Sequence, residues 1–133
     1  MAHTRGDMLR AVMEGVGYNF DIILRALRRS GNKIDDIILV GGGARNECWQ
    51  QILADILGVK VRIPYDLESA TSMGAAITAG VGVGAFEGFD VVDKFVRIRE
   101  SKAPNHENDA VYNEMKGLFE EAYGALCPLF EKL

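Results

Sequence analysis

Ile37-Ile38-Leu39-Val40-Gly41-Gly42-Gly43-Ala44-Arg45-Asn46 runs four apolar residues directly into three glycines. A continuous apolar run of this kind predicts a strand covered on both faces within a parallel sheet. The glycines allow the main chain to bend sharply and let a bulky group approach without meeting a Cβ. A helix is predicted next, with Trp49, Ile52, Leu53, Ile56 and Leu57 on one face and Gly58 as its stop. Val59, Val61 and Ile63 then alternate with Lys60 and Arg62, the pattern of a second strand, which Pro64 closes. Strand, glycine turn, helix and strand together make a βαβ unit, and the fold class is α/β.

Working upstream, Thr4 and Asp7 stand at the spacing of a capping box. Leu9, Val12, Met13, Val16, Phe20, Ile23, Leu24 and Leu27 follow with a 3-4 rhythm, which predicts a long helix with one buried face. Ser30-Gly31-Asn32 should end it. Gly15 and Gly17 inside it weaken a helix, so close packing is expected at them. Downstream, a third helix should begin near Ser69, built of small residues that let another group pack against its backbone. Gly82, Gly84 and Gly88 lead from it to an extended piece around Val96-Arg97-Ile98. The last helix carries Val111, Tyr112, Met115, Leu118, Phe119, Ala122, Tyr123 and Leu126 at helical spacing. Tyr112, Phe119 and Tyr123 are expected in the core, and Pro128 should kink or fray the final turn. Only two segments read convincingly as strands. Two parallel strands leave both edges unpaired, so the expectation is that the initial strands of the domain are missing.

The bulk properties narrow the function. The 133 residues suffice for one domain, 48% of them hydrophobic and 26% charged. With 15 basic residues against 19 acidic ones, the net charge of −4 gives no footprint for nucleic acid. Arg25, Arg28 and Arg29 cluster where the first helix ends and suit the negative end of its dipole. Cys48 and Cys127 match no metal or redox spacing and read as reduced thiols on helices. His3 and His106 read as surface residues, so no metal site is expected. No apolar run approaches the ~20 residues of a membrane span, and no signal-peptide pattern opens the chain. The expected compartment is the cytoplasm.

A glycine turn between a strand and a helix presents unpaired N–H groups and the positive end of the helix dipole, which suits a phosphate. A plain tight βα connection accounts for the same residues without a ligand. The P-loop is excluded, since no lysine followed by Ser or Thr comes after the last glycine. The dinucleotide fingerprint fails as well, with Asn46 in the place of its final glycine.

The run Ile38 to Asn46 resembles the adenosine motif of the actin, Hsp70 and sugar kinase superfamily. Glu68-Ser69-Ala70-Thr71-Ser72-Met73-Gly74-Ala75-Ala76 resembles the segment that follows it there. Asn46, the Asp55-to-Gly58 run, His3-Thr4-Arg5 and the aromatic last helix make the chain similar to FGGY carbohydrate kinases. The triple glycine and the Trp49 region lean toward the xylulose kinases. The resemblance implies a partial ribonuclease H-like domain, the C-terminal part of the nucleotide-binding domain, over residues 1–133. It implies that Gly41, Gly42, Gly43 and Asn46 contact ATP, with main chain at Gly42 and Gly43 against the phosphates and Asn46 beside the adenosine. Mg²⁺ and the sugar would be held mainly by parts outside these residues, as would the catalytic aspartate, so the chain alone is expected to be inactive. Glu68 reads as stabilising a helix start, and Arg45 as facing either an anion or solvent. A non-catalytic nucleotide-binding module and an Hsp70-like ATPase fragment remain alternatives. Apolar helix and strand surfaces left over from so small a sheet predict a homo-oligomer.

Overall fold

The computed structural model describes residues 3–132. Helix α1 (Arg5–Arg29) starts at the predicted capping box: the Thr4 hydroxyl accepts from the Asp7 N–H, and the Asp7 carboxylate accepts from the Thr4 N–H at 2.7 Å. The Thr4 N–H, and then the Thr4 hydroxyl donating to the same carboxylate oxygen at 2.9 Å, hold the Asp7 carboxyl below its ordinary value. The helix closes as a Schellman motif, with Gly31 at φ +90° donating to Arg28 and Asn32 donating to Leu27. Strand β1 (Asp36–Ile38), helix α2 (Glu47–Leu57) and strand β2 (Lys60–Pro64) form the βαβ unit, with Ile37 opposite Val61 in parallel register. Gly58, at φ +60°, ends α2 in the left-handed conformation.

A third strand corrects the sequence reading. Strand β3 (Ile98–Lys102) pairs antiparallel with β2, giving a sheet ordered β1-β2-β3. Its Ile98-Arg99-Glu100-Ser101-Lys102 run has one apolar residue and no alternation, so hydrophobic period could not announce it. Charged residues suit an edge strand, where they discourage pairing with other chains. Helix α3 (Ala70–Gly82) precedes it, followed by the short helix α4 (Val92–Phe95). The close approach expected on α3 occurs at Gly80, where an added Cβ would lie 2.4 Å from the Phe86 ring. Helix α5 (Asp109–Phe130) runs past Pro128 to within one turn of the end of the described residues.

The core gathers on one side of the sheet. Ile52, Leu53, Ile56, Leu57, Val59, Val61 and Ile63 are buried there, with Ile37 and Leu39 packed against them. The opposite face is bare at β1, where Ile38 and Val40 remain 40% and 41% exposed. The expected strand covered on both faces is thus covered on one. Helix α1 also departs from expectation. Leu9, Val12, Val16, Phe20, Ile23 and Leu27 are exposed, and the buried face is Gly17, Tyr18, Asp21 and Leu24. Periodicity counted only apolar side chains, whereas this face buries a paired carboxylate, Asp21, and an aromatic ring, Tyr18, whose hydroxyl has no hydrogen-bond partner. Asp21 is paired with Arg25 at 2.8 Å and with Lys116 of α5 at 3.1 Å. Tyr18 packs edge-on against Tyr112 and against Phe119, with ring centroids 6.5 and 5.3 Å away.

Helix α5 follows the same rule. Tyr112 is buried and Phe119 joins the core, but Tyr123, predicted in the core, is 62% exposed. Polar links hold α5 to α1: Arg10 donates to the Tyr112 hydroxyl at 2.8 Å, that hydroxyl donates to Glu14 at 3.0 Å, and Arg25 pairs with Glu120. Arg25 is therefore a bridge between helices as well as a cation near a helix end.

The two mid-helix glycines of α1 separate cleanly. A Cβ on Gly17 would lie 2.7 Å from Ile56 Cδ1, whereas one on Gly15 would meet nothing within 4 Å. Gly15→Ala should raise stability by up to ~1 kcal/mol through helix propensity. Gly17→Val should lower it by about 1–3 kcal/mol by prising α1 from α2. Urea unfolding midpoints measure both, and a Gly17→Val midpoint at or above wild type would refute the packing assignment.

Candidate functional site: the glycine turn between β1 and α2

At the end of β1 the Leu39 N–H still donates to Arg62 across the sheet, at 2.9 Å. Gly41 then takes φ +79°, a conformation costly for any residue with a Cβ. Its N–H donates to the Leu67 carbonyl at 2.8 Å, which ties the turn to the loop after β2. Gly42–Arg45 form a single 3₁₀ turn, in which Ala44 donates to Gly41 at 3.1 Å. The first N–H groups of such a turn have no acceptor within it, and Gly42 and Gly43 are exposed. Asn46 caps α2: its Oδ1 accepts from the Trp49 N–H at 3.1 Å, which leaves its Nδ2 donors outside the cap. Gly41, Gly42, Gly43 and Asn46 thus lie together on one exposed edge, where β1 ends and α2 begins.

The second motif lies beside the first. Asp66, in the loop before α3, accepts at one carboxylate oxygen from the Glu68 and Ser69 N–H groups, at 3.0 and 3.1 Å. Its other oxygen accepts from the Ser69 hydroxyl. The Ser69 hydroxyl, followed by these main-chain donors, holds the Asp66 carboxyl below the ordinary aspartate value. Asp66, and not Glu68, therefore stabilises the approach to α3. Glu68 pairs with Arg45, spanning the two motifs on the exposed rim. Such an exposed pair contributes at most about 1 kcal/mol.

Three residues of α2 support the turn and its surroundings, and the sequence gave no sign of these contacts. Trp49 underlies Gly43, its indole 3.2–3.3 Å from where a Cβ would sit. Gln50, fully buried, donates from Nε2 to the Ala44 carbonyl at 2.7 Å. Asp55, also buried, accepts from the Asn105 N–H and from the Asn108 side chain, both at 2.8 Å, and so ties the start of α5 to α2. Among the described residues, no group of three His, Cys, Asp or Glu gathers to hold a metal ion. Cys48 and Cys127 are free, and His106 is exposed against Asp109 at 2.9 Å. No helix among them is long and apolar enough to cross a membrane.

The family model described as the FGGY family of carbohydrate kinases, C-terminal domain, matches residues 1–83, which include the glycine turn and all of α3. A xylulose kinase of Staphylococcus epidermidis is 37% identical over 123 residues, 91% of this chain and 24% of that protein. An autoinducer-2 kinase of Yersinia enterocolitica is 41% identical over 95 residues, 71% of this chain and 18% of that protein. The crystal structure of xylulose kinase from Rhodospirillum rubrum superposes with a TM-score of 0.82 at 30% identity, over 98% of this chain and 27% of that one. A ligand-bound xylulose kinase from Lactobacillus acidophilus gives 0.81 at 25% identity, over 98% and 26%. The chain spans 18–27% of the length of these relatives. The α/β fold with its small sheet and flanking helices is that of the sugar kinase C-terminal domain. The chain belongs to the FGGY family of carbohydrate kinases.

Proposed function

We infer that these 133 residues form the C-terminal part of a nucleotide-binding domain, in a kinase that transfers the γ-phosphate of ATP to a sugar hydroxyl, as xylulose kinases do. Gly41, Gly42, Gly43 and Asn46 contact the adenine nucleotide. Main-chain N–H groups at Gly42 and Gly43 face its phosphates, and the Asn46 Nδ2 group faces the adenosine. Mg²⁺ would be held mainly by parts outside these residues and would offset the charge of the phosphates. The sugar and the group that deprotonates its hydroxyl likewise lie outside them, so the chain alone transfers no phosphate. The cytoplasm, the proposed compartment, suits two free thiols.

One observation carries this reading. The three glycines have three different reasons to be glycine. Gly41 needs its positive φ, and Gly43 gives room to Trp49. Gly42 has neither reason: its φ is not positive, and a Cβ there would meet nothing within 4 Å. The fold would accept alanine, so the open space above Gly42 is explained by something that docks there. An anion approaching the unpaired N–H groups fits that space.

Trp49, the chain's single tryptophan, lies directly under the turn and reports on it. Titration with ADP·Mg²⁺ should change its fluorescence and shift the amide signals of Gly42, Gly43 and Asn46 before those of α5. Gly42→Ala should unfold at the wild-type midpoint while binding ADP about tenfold more weakly, equivalent to ~1.4 kcal/mol. Unchanged affinity in that variant, or shifts confined to α5, would sink the proposal.

The chain is also proposed to pair with a second copy of itself. Support comes from the apolar outer face of α1, where Leu9, Val12, Phe20 and Ile23 are exposed, and from the bare side of β1. Contiguous apolar surface beyond a few hundred Å² is rare on soluble monomers. Light scattering coupled to size exclusion should give a mass above one chain that rises with concentration. A constant monomer mass with no binding of an apolar dye would exclude self-association.

A further inference from the structure

Directly beneath the turn, the Gln50 side chain is 0% exposed, and so is Ala44 above it. Gln50 meets the turn twice. Its main-chain N–H donates to the Asn46 carbonyl at 3.0 Å, as any helical residue in that place would. Its side-chain Nε2 donates to the Ala44 carbonyl at 2.7 Å, which depends on the side chain being an amide. The other end of that amide is costly: Oε1 is buried without a hydrogen-bond partner. A methionine of similar volume would remove that orphan but leave the buried Ala44 carbonyl without its donor, so the two costs roughly offset. Core stability therefore does not favour the amide over an apolar residue, and what the amide adds is its hold on Ala44.

We propose that Gln50 is a positioning residue for the nucleotide-binding turn, fixing the direction in which the Gly42 and Gly43 N–H groups point by tethering the Ala44 carbonyl from below. In a helical turn, carbonyls and N–H groups point in opposite directions along the axis. Holding the carbonyl end down thus presents the amide end outward. Glycines leave a turn free to adopt many conformations, and a binding surface made of their N–H groups works only when one of these is selected. The Gly41 N–H bond to Leu67 anchors the entry of the turn, Gln50 anchors its exit, and the Trp49 indole supports it between them.

This inference rests on the reading of the turn as the nucleotide contact, and its test separates the two. Gln50→Met and Gln50→Glu would be prepared in the 133-residue chain. Amide hydrogen exchange of Gly42–Asn46 would be measured without nucleotide, beside the thermal midpoint and ADP·Mg²⁺ affinity. Gln50→Met should leave the midpoint near wild type while exchange in the turn speeds up about tenfold relative to the rest of α2. ADP affinity should fall about tenfold with it. In Gln50→Glu, the carboxylate faces the Ala44 carbonyl and should loosen the turn at neutral pH. Protonation, made easier by burial and by the Glu100 carboxylate that faces this position from β3, restores a donor, so exchange of the turn relative to the rest of α2 should slow again as pH falls. Exchange in the turn unchanged by Gln50→Met, or loss of the fold in both variants, would overturn the proposal. Wild-type chain that ignores ADP·Mg²⁺ but shows the exchange difference would refute the nucleotide reading and leave the Gln50 tether standing.

Discussion

Burial of α2 on nearly all sides is the constraint from which the other contacts follow. From Ile52 to Leu57 every residue is buried, and Gln50 is fully so. A helix covered all round cannot send its polar side chains to solvent, so each one inside must find a partner or incur a penalty of about 1–3 kcal/mol. Asp55 finds the Asn105 N–H and Asn108, and so fixes where α5 begins. Gln50 finds the Ala44 carbonyl, which fixes the exit of the glycine turn. Ile56 lies against Gly17 and sets how closely α1 approaches. The βαβ unit, the α5 loop and α1 are thus three collars on one helix.

That arrangement explains which parts of the fold were legible in the sequence. β1, α2 and β2 were located correctly, though β1 is covered on one face and not two, because burial of apolar residues is what periodicity detects. The ends of α1 were legible because Thr4 with Asp7 and Ser30-Gly31-Asn32 act locally, within one turn of chain. β3 was missed because an edge strand of charged residues is made by its neighbour β2 and not by its own composition. The buried face of α1 was misplaced because Tyr18 and Asp21 are buried through partners on α5, more than 90 residues away. Long-range contacts of that sort, aromatic for Tyr18 and ionic for Asp21, leave no periodic mark.

For the candidate site, the glycines and Asn46 were legible and their support was not. Gly41, Gly42 and Gly43 look equivalent in the sequence, and only the fold shows that φ governs one, Trp49 another and neither the third. Gln50 and Asp55 carry no sign of their partners in the sequence. Their importance appears only once both are found buried and hydrogen-bonded.

Phosphoryl transfer asks a protein mainly for positioning and for charges already in place, so a nucleotide turn must be open above and stiff below. Openness comes from leaving out side chains, and each glycine so placed makes the turn easier to deform. Stiffness must then come from residues that never touch the ligand. In this chain those residues are consecutive on α2, the Trp49 indole under Gly43 and the Gln50 amide under Ala44. Adjacent residues on a helix diverge by about 100°, so they support the turn from two directions instead of one. Because both belong to the most buried helix of the chain, a disturbance at the turn is resisted by the whole core, and damage to the core should be felt first at the turn.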